Sequence, residues 1–275
     1  MNLISHKIKS LNGEIGCPGD KSISQRIIII GSLLNCDMQI DGFLHADDPI
    51  STMNALNEIG ASIRINQDKV FLKKRNIPFN NPINYLNFGN SGTGSRLMLG
   101  LISGLGLKSN LTGDQSLSKR PMDRVIEPLK EMGAMLQSDD GKLPIKTQGS
   151  YIIDNFEYKM PIASAQVKSC LLLAALASKK NIKIIEPKTT RDHTERMIDY
   201  FGGNITYNDI ADKGSIILKP STLTPLELFT VPGDFSSACF VIVASIISKN
   251  SNVLIKNVGL NETRSGLVDV LRLMG

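Results

Sequence analysis

Four stretches of the chain set small polar residues and cations just ahead of an apolar run. They are CPGDKSISQRIIIIGSLL (17–34), FGNSGTGSRLMLGLISGL (88–105), MPIASAQVKSCLLLAALAS (160–178) and VPGDFSSACFVIVASIIS (231–248). The first nearly spells a nucleotide P-loop, but Asp20 stands between Gly19 and Lys21, where that motif needs Gly-Lys-Ser/Thr without a break. The chemistry left is anion capture. A helix that starts on small residues leaves N–H groups free at its positive end, and these bind phosphate or carboxylate. Lys21, Ser22 and Arg26 gather at the first such start. Lys supplies a point charge and Arg a planar fork. The second start offers Asn90, Gly92 and Arg96, with Gly92 and Gly94 letting a ligand approach the backbone; Lys119 and Arg120 open the next helix. The third offers Ser164 and Gln166, Lys168 one turn on, and Arg191 further along. Each of these alone reads as a solvated helix cap. Their recurrence at one position in successive segments points to a pocket for a polyanionic substrate pair.

The elements that must hold these residues repeat too. The anchors Pro18, Gly89, Pro161 and Pro232 fall at near-equal spacing. A short strand candidate follows each apolar helix: MQIDGF, SNLTGD, IKIIEP and NVLIKNV. Each strand leads into an amphipathic helix that ends at Gly: DPISTMNALNEIG, RPMDRVIEPLKEMG, RDHTERMIDYFGG and TRSGLVDVLRLMG. In the second of these Met122, Val125, Ile126, Leu129 and Met132 keep helical spacing, and Pro128 predicts a kink. Three units then continue into strand pairs, ASIRINQDKVFLKK, AMLQSDDGKLPIKT and NITYNDIADKGSIILK. The unit is of βαβαββ form, and no solenoid period fits it. The fourth stops at Gly275, where its strand pair should begin, so a C-terminally incomplete chain is expected, with Leu267, Val268, Leu271 and Met274 left uncovered.

Composition narrows the partners. The chain has 275 residues, a net charge of +5, no Trp and 5% aromatic residues. A mild positive charge without stacking rings argues for small anions over nucleic acid. Cys17, Cys36, Cys170 and Cys239 form no C-x-x-C pair, and Cys170 and Cys239 read as buried reduced thiols. The apolar runs are too short to span a bilayer, and the N-terminus, MNLISHKIKSLNGEIG, alternates like a strand and has no signal-peptide core. A soluble cytoplasmic protein, with no membrane partner, is expected. Asp192 and Glu195 read as a capping box around His193, which is then a helix-start residue and not a proton shuttle. His6 and His45 belong to no constellation, and Asp47 and Asp48 read as helix caps.

PGDKSISQR, GNSGTGSRLMLG, DQSLSKRPMDRV, SAQVKS, TRDHTERM and VPGDFSSA resemble, in order and across the whole chain, the signature segments of the EPSP synthase family (3-phosphoshikimate 1-carboxyvinyltransferase). SAQVKS, TRDHTERM and NSGTGSRL, with Leu97 where the other branch has Pro, resemble its class II bacterial branch. The resemblance implies transfer of the enolpyruvyl group of phosphoenolpyruvate to the 5-hydroxyl of shikimate 3-phosphate. The route is addition and elimination through a tetrahedral ketal, with no metal or organic cofactor. It implies that Lys21, Ser22 and Arg26 hold shikimate 3-phosphate, Lys21 also reaching phosphoenolpyruvate. Ser164, Ala165, Gln166 and Arg191 would line the shikimate phosphate, Gln166 lying near phosphoenolpyruvate as well, and Asn90, Gly92 and Arg120 would serve phosphoenolpyruvate. Ala165 stands where the other branch has a second Ser, so one hydroxyl contact is missing. Glyphosate occupies the phosphoenolpyruvate site in this family, and Gly92, which is Ala in tolerant relatives, implies a sensitive enzyme.

The implied fold is an inside-out α/β barrel in a two-domain enolpyruvyltransferase architecture, helices inside and sheets outside. Residues 17–229 would form the first domain of three βαβαββ units, and residues 1–16 and 230–275 part of an incomplete second. The family's acid and base residues would then lie beyond Gly275, leaving none of the catalytic residues in this chain and a fragment inactive alone. The expected partners are the two small-molecule substrates, and the expected state is a monomer. Two rivals are a UDP-N-acetylglucosamine enolpyruvyltransferase and a non-catalytic anion-binding half-enzyme. The first has Lys-Asn where this chain has Lys21-Ser22 and a loop Cys with no counterpart near Arg120.

Overall fold

In the computed structural model, which describes residues 4, 9–210 and 213–275, the small polar clusters are helix caps. The side chains of Asp20, Ser91, Ser164 and Asp234 accept from the backbone N–H of Ile23, Gly94, Val167 and Ser236. Each cap satisfies a donor that the first turn leaves unpaired. The chain runs β1 (Asn12–Gly16), α1 (Lys21–Leu34), β2 (Met38–Asp41), α2 (Asp47–Glu58), β3 (Ile63–Asn66) and β4 (Lys69–Leu72). It continues through β5 (Leu86–Asn87), α3 (Gly92–Gly104), β6 (Lys108–Thr112), a 3-10 turn (Leu117–Lys119), α4 (Asp123–Glu131), β7 (Ala134–Asp139) and β8 (Lys142–Ser150). A third unit comprises β9 (Phe156–Lys159), α5 (Ala165–Ser178), β10 (Ile182–Glu186), α6 (His193–Tyr200), β11 (Asn204–Ile210) and β12 (Lys213–Lys219). Last come β13 (Leu228–Thr230), α7 (Phe235–Ile247), β14 (Asn252–Lys256) and α8 (Gly266–Leu273).

Three four-stranded sheets share one plan, in the orders β5-β6-β8-β7, β9-β10-β12-β11 and β13-β2-β4-β3. In each, the leading strand runs parallel to the second, and the last two form an antiparallel hairpin. The second and third units are thus βαβαββ in chain order. The first takes its leading strand, β13, from far downstream. β1 in turn pairs parallel with β14.

The helices that follow the caps lie inside. Ile27–Ile30 of α1, Leu97–Leu99 of α3 and Leu171–Leu173 of α5 are wholly buried, and the sheets cover them from outside with alternating residues such as Leu143, Ile145 and Thr147 of β8. Burial at about 25 cal/mol per Å² makes this interior the main stabilising term. Met122, Val125, Ile126, Leu129 and Met132 are all buried, as their spacing predicts. The helix nevertheless runs through Pro128, at whose carbonyl the N–H of Met132 closes the last turn.

At the end of the chain the cover is thinner. Only Phe235 and Ala238 of α7 are buried, so Cys239 is half-buried and not in a core as expected, while Cys170 is buried. Leu267, Val268 and Leu271 are half-buried and Met274 is exposed. No helix among the described residues is long and apolar enough to cross a membrane. His6 lies outside the described residues.

Candidate anion-binding site

The first turns of α1, α3 and α5 meet at one end of the helical interior. Gln25 Nε2 of α1 donates to Ser91 Oγ, the cap of α3, at 2.7 Å, and to Thr52 Oγ1 of α2 at 3.3 Å. Gln166 Nε2 of α5 donates to Thr93 Oγ1 of α3 at 3.1 Å. These side-chain bonds hold three positive helix ends side by side. Ser164, Ala165 and Gln166 start α5 within this ring, with Ser164 spent as the cap.

Around the α1 start, Lys21 is half-exposed and its Nζ pairs with Asp48 Oδ2 at 3.1 Å. Ser22 Oγ accepts from Arg191 Nη1 at 3.1 Å. Arg26, 2% exposed, donates from Nε to Thr194 Oγ1 (2.7 Å), from Nη1 to the Ser22 carbonyl (3.0 Å) and from Nη2 to Ser169 Oγ (3.1 Å). Lys21 faces solvent, whereas Arg26 is buried with its guanidinium bonded to Thr194, Ser22 and Ser169, so the two cations stand on different sides of Ser22.

Around the α3 start, Arg96 Nη1 donates to the Gly92 carbonyl (3.2 Å) and to Gln166 Oε1 (3.1 Å), and Nη2 to the Pro121 carbonyl (3.0 Å). Arg120 donates to Asn90 Oδ1, and Asn90 Nδ2 to Asp114 Oδ2 at 2.8 Å. A Cβ on Gly92 would lie 3.0 Å from Arg120 Nη1 and 3.2 Å from Arg96 Nη1, so a methyl there presses on two guanidinium groups. Gly94 has another reason to lack a side chain: a Cβ would collide with Thr52 Oγ1 and Ser91 Oγ. It serves helix packing, not ligand approach.

The site is strongly cationic. Burial, then the nearby Arg124 and Arg120 charges, push Arg96 down to about 10. Burial, opposed by attraction to Glu195 and reinforced by repulsion from Arg191, does the same to Arg26, also to about 10. Both stay protonated at neutral pH, in surroundings that an anion would relieve.

Several sequence expectations need correction. Asp192 does not close a capping box: its carboxylate accepts from Arg196 Nε and from Asn261 Nδ2, both at 2.6 Å, and it makes no side-chain cap bond. Glu195 is buried against Lys168 Nζ at 2.7 Å. Lys168, 1% exposed, also reaches Glu186 Oε1 at 3.0 Å, so its ammonium serves these carboxylates and no external anion. Asp47 and Asp48 lie inside the first turn of α2, and Asp48 is the partner of Lys21. Spacing did not reveal Gln25, Thr93, Ser169 or Thr194; their polarity on otherwise apolar helix faces was the available signal.

A separate cavity of about 550 Å³ lies behind α1, lined by Asp20, His193, Tyr200, Phe229, Phe235 and Arg264. It contains none of the residues assigned to the anion pocket. There the Pro18–Asp20 and Pro232–Asp234 segments cross, Asp20 N–H donating to the Pro232 carbonyl and Asp234 N–H to that of Pro18, each at 2.8 Å. Arg264 bridges the two capping carboxylates, 3.5 Å from Asp20 Oδ2 and 3.6 Å from Asp234 Oδ1.

The family model described as EPSP synthase (3-phosphoshikimate 1-carboxyvinyltransferase) matches residues 5–275. A 3-phosphoshikimate 1-carboxyvinyltransferase of Petrotoga mobilis is 49% identical over 273 residues, covering 97% of this chain and 62% of that protein. One from Ruthia magnifica is 44% identical over 267 residues, covering 97% and 60%. A solved EPSP synthase of Acinetobacter baumannii superposes with a TM-score of 0.86 at 36% identity, covering 97% of this chain and 60% of the other. The chain therefore spans about 60% of the length of these relatives.

Proposed function

Since the chain belongs to the EPSP synthase family, we propose that its helix-start pocket binds shikimate 3-phosphate and phosphoenolpyruvate for enolpyruvyl transfer to the 5-hydroxyl. The observation that carries this reading is the convergence of three capped helix ends with Lys21, Arg26, Arg96, Arg120 and Arg191, two of them buried. Two multiply charged anions repel each other, and fixed cations and helix ends offset that repulsion before reaction begins.

In this reading Ser22, Ser164, Ala165, Gln166 and Arg191 face the shikimate phosphate, with Arg26 holding Ser22 from behind. Asn90, Gly92 and Arg120 face phosphoenolpyruvate, and Lys21 and Gln166 lie between the two. Residues 17–229 form one domain, and residues 1–16 and 230–275 belong to another; the pairing of β1 with β14 supports that division. A monomer acting in the cytoplasm fits the same reading. Calorimetry tests it. Shikimate 3-phosphate should bind the chain, more weakly as salt rises, and UDP-N-acetylglucosamine should not. The opposite selectivity would overturn the assignment.

A further inference from the structure

Arg191, which donates to Ser22 Oγ, sits in a stretch that has neither helix nor strand, residues 187–192 between β10 and α6. Pro187, Lys188 and Thr189 there are exposed, and Thr190, Arg191 and Asp192 half-buried. A cavity of about 450 Å³ opens beside it, lined by Thr189, Thr190, Tyr207, Glu262 and Lys168 itself, while the far end of the loop is tied by Asn261 Nδ2, which donates to Asp192 at 2.6 Å. What reaches the loop from within is Lys168. Its Nζ donates to the Thr190 carbonyl at 3.4 Å while holding Glu186 Oε1 at 3.0 Å and Glu195 Oε1 at 2.7 Å. Glu186 adds a second tie, accepting from Thr190 Oγ1 at 2.8 Å. The ammonium thus donates to Glu186 and to the Thr190 carbonyl while its charge is paired with Glu195. The neighbouring residues extend the chain of contacts. Ser169, next to Lys168, and Thr194, next to Glu195, bond to each other at 2.7 Å and both accept from Arg26.

We propose that Lys168 is a positioning residue that fixes the 187–192 loop through Thr190 and so aims Arg191 at the anion held beside Ser22. The anion's identity as shikimate 3-phosphate rests on the function proposed above; the positioning of Arg191 does not. A lysine buried against two carboxylates could also serve only to neutralise them. The two roles separate because neutralisation is restored when a carboxylate is neutralised, whereas the tie to Thr190 is not.

The test compares Lys168→Met, the double variant Lys168→Met/Glu195→Gln, and Lys168→Arg, all in the full 275-residue chain. Hydrogen exchange of residues 187–192 and calorimetry with shikimate 3-phosphate are read on each. Lys168→Met should speed exchange in the loop at least tenfold, leave α3 unchanged, and weaken binding tenfold or more. The double variant should regain thermal stability without regaining loop protection or affinity, while Lys168→Arg should restore part of both. Should Lys168→Met fail to fold, the double variant alone decides. Wild-type loop protection in a folded double variant would overturn the proposal and leave Lys168 as a charge neutraliser. A freed loop in variants of a wild type that binds no shikimate 3-phosphate would instead remove the ligand assignment and keep the positioning role.

Discussion

Lys21, half-exposed, and Gly92, buried at the start of α3, make distinct demands on the ligand. Lys21 is half-exposed and already paired with Asp48, so a substrate phosphate gains its charge by displacing a weak surface partner. Lys21→Ala should weaken shikimate 3-phosphate binding by about 2 kcal/mol, roughly thirtyfold, in calorimetry; unchanged affinity would take Lys21 out of the site. At Gly92 an added methyl meets the guanidinium groups of Arg120 and Arg96. Gly92→Ala should therefore weaken glyphosate, the longer ligand in this family, more than phosphoenolpyruvate; equal losses in paired titrations would contradict this.

His193 makes a pH prediction. Burial, reinforced by the Arg26, Arg191 and Arg264 charges, pushes its ring down to about 3. The folded state thus holds it neutral, and the stability this contributes is complete above the unfolded value near pH 6.5 and is lost as pH falls toward 3. Between pH 7.5 and 5 the wild type should lose about 2 kcal/mol more than His193→Gln in urea unfolding, at about 1.4 kcal/mol per pH unit below 6.5. Parallel curves would contradict a neutral buried ring. At this scale the sequence exposes a residue's type but not its partner. Lys168 and Arg26 read as two cations near a phosphate, and only the fold shows one of them buried between Glu186 and Glu195.

Among the elements, the four capped helices were legible because a capping side chain, small residues and an apolar run coincide at each. The leading strands β5, β9 and β13 were not. β5 is Leu86–Asn87, too short for alternation to register, and β13 pairs with β2 across most of the chain. Local pattern cannot show such a partner. The same long-range closure creates the crossing at Pro18–Asp20 and Pro232–Asp234, where Arg264 separates two capping carboxylates. Removing it leaves like charges side by side, and burial already raises the Asp20 carboxyl. Arg264→Met should destabilise the chain by about 3–5 kcal/mol at pH 7. The deficit should shrink as the pH is lowered toward 5, because protonating Asp20, whose carboxyl burial already raises, relieves the repulsion. Urea melts showing a pH-independent loss would assign Arg264 to packing alone.

The molecule as a whole divides by cover. α1, α3 and α5 are enclosed, whereas α7, built on the same pattern, leaves Phe240 81% and Ile247 77% exposed. That contiguous apolar face invites association, and Phe240→Ser/Ile247→Ser should raise the concentration at which sedimentation finds the chain monodisperse. The enclosed trio carries the central claim, that the ring of helix starts is where the phosphate goes, and the large cavity behind α1 is the competing location. A crystal structure of the chain with shikimate 3-phosphate decides between them. The phosphate is expected between Ser22 and Arg191, with Ser164 and Gln166 in contact. A ligand seated instead among Asp20, His193 and Arg264 would contradict it.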